Sequence, residues 1–146
     1  GHGDSMVAML ASTEVEGKKI LDLIKEGRIS KEKLDKIVDR TKKGGAEIVK
    51  FLEKGSAFYA PAASGVEMAE CYLKDLKKQL PCAVYLNGEY NVKDIYAGVP
   101  AIIGSKGVEK IIELDLSSEE KNNFKKSIDS VRELFYAASA IDPSLS

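Results

Sequence analysis

Three segments rich in Val, Ile and Tyr follow one another with turn residues between them. They are residues 80–86, 95–103 and 108–114, separated by Asn87-Gly88 and by Gly104-Ser105-Lys106-Gly107. Short connections rich in Gly and Asn join antiparallel strands, so this spacing predicts a three-stranded antiparallel meander. The alternating strand–helix units of a parallel sheet are missing. The chain is therefore confined to an α+β class, provided that the flanking segments are helical.

The flanks do carry helical spacing. Ile20, Leu21, Leu23 and Ile24 predict a short helix closed by Gly27. Ser30 is a candidate N-cap for a long amphipathic helix, in which Leu34, Ile37, Val38, Thr41, Gly45, Ile48, Val49 and Leu52 recur at i, i+3, i+4 and i+7. Gly44 and Gly45 lie mid-helix, where each costs about 1 kcal/mol relative to Ala, so a bend or a close backbone approach is expected there. Gly55 is expected to end this helix. Residues 56–64 are small and apolar and include Pro61; Val66, Met68, Ala69, Tyr72, Leu73 and Leu76 then predict a helix to about Gln79. Ser117 and Glu120 have capping-box spacing ahead of an apolar stripe of Phe124, Ile128, Val131, Leu134 and Phe135. Residues 6–15 show no firm periodicity.

A chain of 146 residues predicts one hydrophobic core without a second folding unit. The 22 basic residues nearly balance the 23 acidic ones, and no basic block is long enough to track a phosphate backbone, so nucleic acid is not expected as a partner. No apolar run approaches the roughly 20 residues of a membrane-spanning helix, and no signal segment opens the chain, which predicts a cytoplasmic protein without a membrane partner. Cys71 and Cys82 lack paired spacing and a neighbouring His. They read as buried, reduced thiols, and no metal site is expected. No Gly-x-Gly-x-x-Gly joins a strand to a helix, so the chain is expected to offer no dinucleotide-binding residues.

The one histidine, His2, stands in Gly1-His2-Gly3-Asp4-Ser5. Taken alone, a Gly-His start also fits the remnant of a purification tag. The flanking glycines free the backbone to present an imidazole at a cleft wall.

Gly1 to Ser5 resembles the His-Gly-Asp segment of the malate/lactate dehydrogenases, and the likeness continues in order along the chain. Gly44-Gly45-Ala46-Glu47-Ile48-Val49 resembles that family's long helix. Gly55-Ser56-Ala57-Phe58-Tyr59-Ala60-Pro61-Ala62-Ala63-Ser64 resembles its substrate-facing segment in malate-type members. Asn87-Gly88-Glu89-Tyr90, Gly98-Val99-Pro100 and Ile103-Gly104 resemble its strand meander.

The resemblance implies the family's C-terminal catalytic and substrate domain, with long helices packed on an antiparallel meander. It implies that His2 exchanges a proton with the hydroxyl of a 2-hydroxy acid, or with the matching 2-oxo acid, while hydride passes to or from NAD. An imidazole with an ordinary pKa of about 6.5 can serve in both directions. Ala57 and Pro61 fall where the family lines its substrate pocket; equally, small residues there suit close packing at the start of a helix. The family's NAD-binding domain, orienting aspartate, carboxylate-clamping arginine and substrate-reading loop precede the matching segment. NAD is thus expected in the full-length enzyme and not on this chain, which reads as trimmed from a longer protein.

Arg28, Arg40 and Arg132 sit in helical contexts and read as surface or packing residues. Many malate-type members carry an arginine soon after the histidine motif, where this chain has Ala11 and Ser12. Malate is the first choice of substrate and lactate the alternative. A homo-oligomer is expected. A non-catalytic oligomerisation module is the competing reading, with the helix from Ser30 to Glu53 as its seam.

Overall fold

The meander forms as its spacing predicts. In this computed structural model, which describes residues 3–145, strands β3 (Lys78–Asn87), β4 (Lys93–Gly104) and β5 (Gly107–Ile111) make an antiparallel sheet in that order. Two further strands, β1 (Glu14–Val15) and β2 (Lys18–Lys19), form a short ribbon. The helices are α1 (Ile20–Lys25), α2 (Lys31–Leu52), α3 (Tyr59–Leu73) and α4 (Ser118–Ile141). The architecture is α+β.

Where length suggested a single folding unit, the chain divides into two: Gly1–Phe51 with Leu114–Ser146, and Leu52–Glu113. Each has its own apolar centre. In the helical unit Ile20, Leu23 and Leu34 are buried, and Leu10, Ile24, Ile29 and Val38 pack against them. In the strand unit the buried residues alternate along β4 as Ile95, Ala97, Val99, Ala101 and Ile103, joined by Val84 and Leu86 of β3. A period of two puts one sheet face inward. α3 packs on β4. On the opposite face Tyr85 and Tyr96 pair across the strands edge to face at 5.4 Å.

Local chemistry explains the helix ends. α1 closes in a Schellman motif: Gly27 N–H donates to the Ile24 carbonyl and Arg28 N–H to the Leu23 carbonyl, both at 2.9 Å, and Gly27 adopts φ +70°. Ser30 caps α2, its Oγ accepting from Lys33 N–H at 3.1 Å. Gly55 does not end α2. The chain leaves the helix at Glu53, in the left-handed region at φ +60°.

Helix α2 also runs unbroken through Gly44 and Gly45, and a Cβ built on either would meet nothing within 4 Å. The expected close approach is thus not made by any described part of this chain. α3 stops at Leu73, short of Gln79, because Asp75 and Lys77 take left-handed φ values of +50° and +51° and turn the backbone into β3. β5 ends at Ile111, before Leu114. Pro61 sits in the first turn of α3, where its missing N–H removes no helical bond.

No helix among the described residues is long and apolar enough to cross a membrane. Cys71 is buried and Cys82 half-buried, and both are free thiols; burial pushes the Cys82 thiol up.

Candidate active site

The segment that carries the motif histidine is built from its backbone. Gly3–Ser5 form a single 3-10 turn closed by Met6 N–H donating to the Gly3 carbonyl at 3.0 Å. Gly3 has φ +62°, a conformation that costs little only without a Cβ. Beyond the turn the chain is irregular to Thr13, whose hydroxyl donates to the Met9 carbonyl at 2.6 Å. Leu10 packs against the helical unit's buried cluster.

The strongest tether is remote in sequence. Glu120 Oε1 accepts from Ala11 N–H at 3.0 Å, and its Oε2 accepts from Ser117 N–H at 2.8 Å. Ser117 Oγ in turn accepts from Glu120 N–H at 3.2 Å, completing the capping box of α4. Glu120 is only 6% exposed. Burial works to raise its carboxyl, but the hydrogen bonds from Ala11 and Ser117 outweigh that and hold it below the ordinary glutamate value. One carboxylate thus starts a helix and fastens the N-terminal segment.

A cleft of about 1020 Å³ lies within the helical unit, walled by Ser5 to Ala8 of this segment and by residues of α1, α2 and α4. Its carboxylates are largely committed. Asp35 accepts from Lys31 at 2.7 Å, Asp39 is paired with Lys43 at 2.8 Å, and Glu120 is held as described. The Lys31 ammonium is raised by its hydrogen bond to Asp35. The cleft therefore offers apolar wall and paired charge.

His2 itself lies outside the described residues. Ala57 is half-buried just before α3, and Pro61 is exposed on its first turn; neither lines this cleft. Of the arginines, Arg28 is exposed and Arg40 grips Glu47 through Nε at 3.1 Å and Nη2 at 2.9 Å. Arg132 is half-buried on α4. Glu120 escaped sequence reasoning as a long-range partner. Its capping spacing was legible, but a bond across 109 positions leaves no local signal.

Both sheets are antiparallel, and no described strand runs through a glycine-rich turn into a helix.

A profile described as the lactate/malate dehydrogenase alpha/beta C-terminal domain matches residues 1–139. The chain belongs to the lactate/malate dehydrogenase family. It is 66% identical, over all 146 residues, to the malate dehydrogenase of Pelagibacter ubique strain HTCC1062, of which it covers 46%. Among solved structures it resembles the malate dehydrogenase of Salinibacter ruber with a TM-score of 0.89 and 40% identity, over the whole of this chain and 46% of that one. It also resembles the lactate dehydrogenase of Eimeria maxima, solved with NADH and oxamate, with a TM-score of 0.91 and 47% identity, over 97% of this chain and 44% of that one. The chain thus spans about half the length of the relatives it matches, and the family's C-terminal domain accounts for it.

Proposed function

We propose that this chain is the catalytic and substrate half of an NAD-dependent malate dehydrogenase that interconverts malate and oxaloacetate in the cytoplasm. The observation that carries the reading is the 66% identity to a malate dehydrogenase across every residue, with His2-Gly3-Asp4 at its head. His2 is the general acid/base. Neutral, it accepts the proton of the substrate's 2-hydroxyl; protonated, it returns it to the 2-oxo group. The left-handed Gly3 and the anchored Leu10 and Ala11 limit the freedom of the segment that presents it. Ala57 and Pro61 shape the substrate pocket without adding charge. NAD, which supplies the hydride chemistry, is held by a separate nucleotide-binding half, and the working enzyme is a homo-oligomer.

The test is made in the longer enzyme containing both halves. His2→Asn is expected to lower turnover of oxaloacetate by about 10²- to 10⁴-fold while leaving NADH affinity nearly unchanged. Wild-type turnover in that variant would remove His2 from the chemistry. A second substrate reading rests on the likeness to the Eimeria maxima lactate dehydrogenase. Comparing kcat/KM for oxaloacetate and pyruvate decides between them, and a preference for pyruvate makes the enzyme a lactate dehydrogenase.

A further inference from the structure

In a capping box the glutamate at the third helical position has one backbone partner, the N–H of its own cap residue. Glu120 has a second. Its Oε2 serves the cap at Ser117, and its Oε1 reaches out of the helix to Ala11 N–H at 3.0 Å. Two observations tie this bond to the segment that follows the motif. Ala11 ends the segment that begins at the His2-Gly3-Asp4 motif, and α4, the helix bearing Glu120, packs directly against the Gly3–Ser5 turn. Glu120 is buried, so water competes weakly for its oxygens, and a carboxylate acceptor makes each bond stronger than a neutral pair would. Between the turn and the tether, residues 6–9 have no helix or strand to hold them. Among the described residues they are held by short-range bonds alone, Met6 N–H to the Gly3 carbonyl and the Ser12 and Thr13 hydroxyls to the Met9 carbonyl, so the Ala11 tether is what fixes them to α4.

We infer that Glu120 is a positioning residue for the acid/base histidine: its Oε1 bond to Ala11 sets where the His2-bearing segment lies against α4. This rests on the reading of His2 as the acid/base group. Both Glu120 carboxylate oxygens are taken up by backbone N–H groups. Glu120 acts through the backbone of residues 3–11. Proton transfer is steep in donor–acceptor geometry, and displacement of a reacting group by about 1 Å can cost on the order of 10²-fold in rate. Substrate and NADH binding, which rest on other groups, should be spared.

The experiment uses the longer enzyme with its nucleotide-binding half, and two variants separate the two jobs of Glu120. Ser117→Ala removes a capping bond and leaves the Ala11 tether. It is expected to lower thermal stability with kcat unchanged. Glu120→Gln retains one acceptor oxygen but turns an NH2 toward one of the two backbone donors. It is expected to lower kcat by about 10- to 100-fold, with KM for oxaloacetate and NADH within about twofold. It should also raise the solvent deuterium isotope effect on kcat, because a misplaced histidine makes proton transfer limiting. Loss of stability alone moves neither of these readouts. If Glu120→Gln does not fold, Ala11→Pro removes the same bond from the donor side, with the capping box whole, and is judged by the same criteria. Glu120→Gln with kcat within twofold of wild type overturns the inference, as does failure of both tether variants to fold, since the bond is then a folding element. Failure of the underlying reading is distinct: wild-type enzyme inactive on both oxaloacetate and pyruvate, or fully active His2→Asn, would sink that reading whatever Glu120 does.

Discussion

Glu120 is a carboxylate that folding removes from water and repays with hydrogen bonds, and this makes it an acid-sensitive point. Its folded pKa lies below the ordinary value because the bonds from Ala11 and Ser117 outweigh burial. A carboxyl depressed in the folded state contributes stability that is present above its unfolded pKa, about 4.3, and is lost as pH falls through its lower folded value. Other carboxylates are depressed too, among them Asp75 by the Ser105 N–H and Asp142 by Ser144. The useful quantity is therefore a difference. Urea unfolding of this chain should show wild type more stable than Glu120→Gln by on the order of 1 kcal/mol at pH 7, with the gap narrowing as pH drops from about 5 to about 3. A gap of equal size at pH 7 and pH 3 would rule out the charged tether.

At the scale of elements, the β4–β5 hairpin shows how one missing side chain permits a connection. Gly104 and Gly107 face each other across a two-residue loop of Ser105 and Lys106. A Cβ on Gly104 would stand 2.8 Å from Asp75 Oδ1 and would also collide with the Glu109 carboxylate. Glu109 can swing away. Asp75 cannot do so without releasing Ser105 N–H, which it accepts at 2.8 Å, thereby pinning the hairpin to the turn after α3. Gly104→Ala is thus expected to cost about 1–3 kcal/mol, the range of overpacked sites, and to lower the thermal midpoint by several degrees. An unchanged midpoint would show that the turn yields freely.

The same region marks what was legible in the sequence. Ser30, Ser117 and Gly27 announced helix ends because caps act within four residues, and the strands announced themselves by their Val, Ile and Tyr content and the turn residues between them. The end of α3 was hidden: Leu76 continues the apolar spacing, but Asp75, bonded to a hairpin 30 positions away, has already left the helix. Glu120 and Ala11 were unreadable as partners for the same reason. The reading of His2 as the acid/base group rests chiefly on resemblance, since one imidazole in a short motif has a bland alternative.

At the scale of the whole molecule, the decisive feature is apolar surface that the described residues leave uncovered. The stripe on α2 begins inside the helical unit's core at Leu34 and Val38, and it does not end there. Ile37 is 48% exposed and Ile48 43%, with Val49 and Leu52 close behind, while Phe51 on the same helix is 78% exposed. An amphipathic helix normally buries its stripe along its whole length. At Gly44 and Gly45 a Cβ would meet nothing among the described residues within 4 Å, the arrangement in which a helix from another molecule can approach closely. The paired charges of α2, Lys31 with Asp35, Lys36 with Glu32 and Lys43 with Asp39, keep the rest of the helix wettable but do not screen the stripe. Contiguous apolar patches beyond a few hundred Å² are rare on monomers. This chain on its own is therefore expected to self-associate at low micromolar concentration, with Ile48→Glu shifting the population toward monomer, since a charge in an apolar seam must be desolvated on association. Size exclusion with light scattering reads the outcome directly. A single species at the chain mass of 15.9 kDa for the unaltered protein would remove α2 as a seam. A dimer indifferent to Ile48→Glu would move the seam elsewhere, with exposed Leu134, Phe135 and Ile141 on α4 the next face to probe.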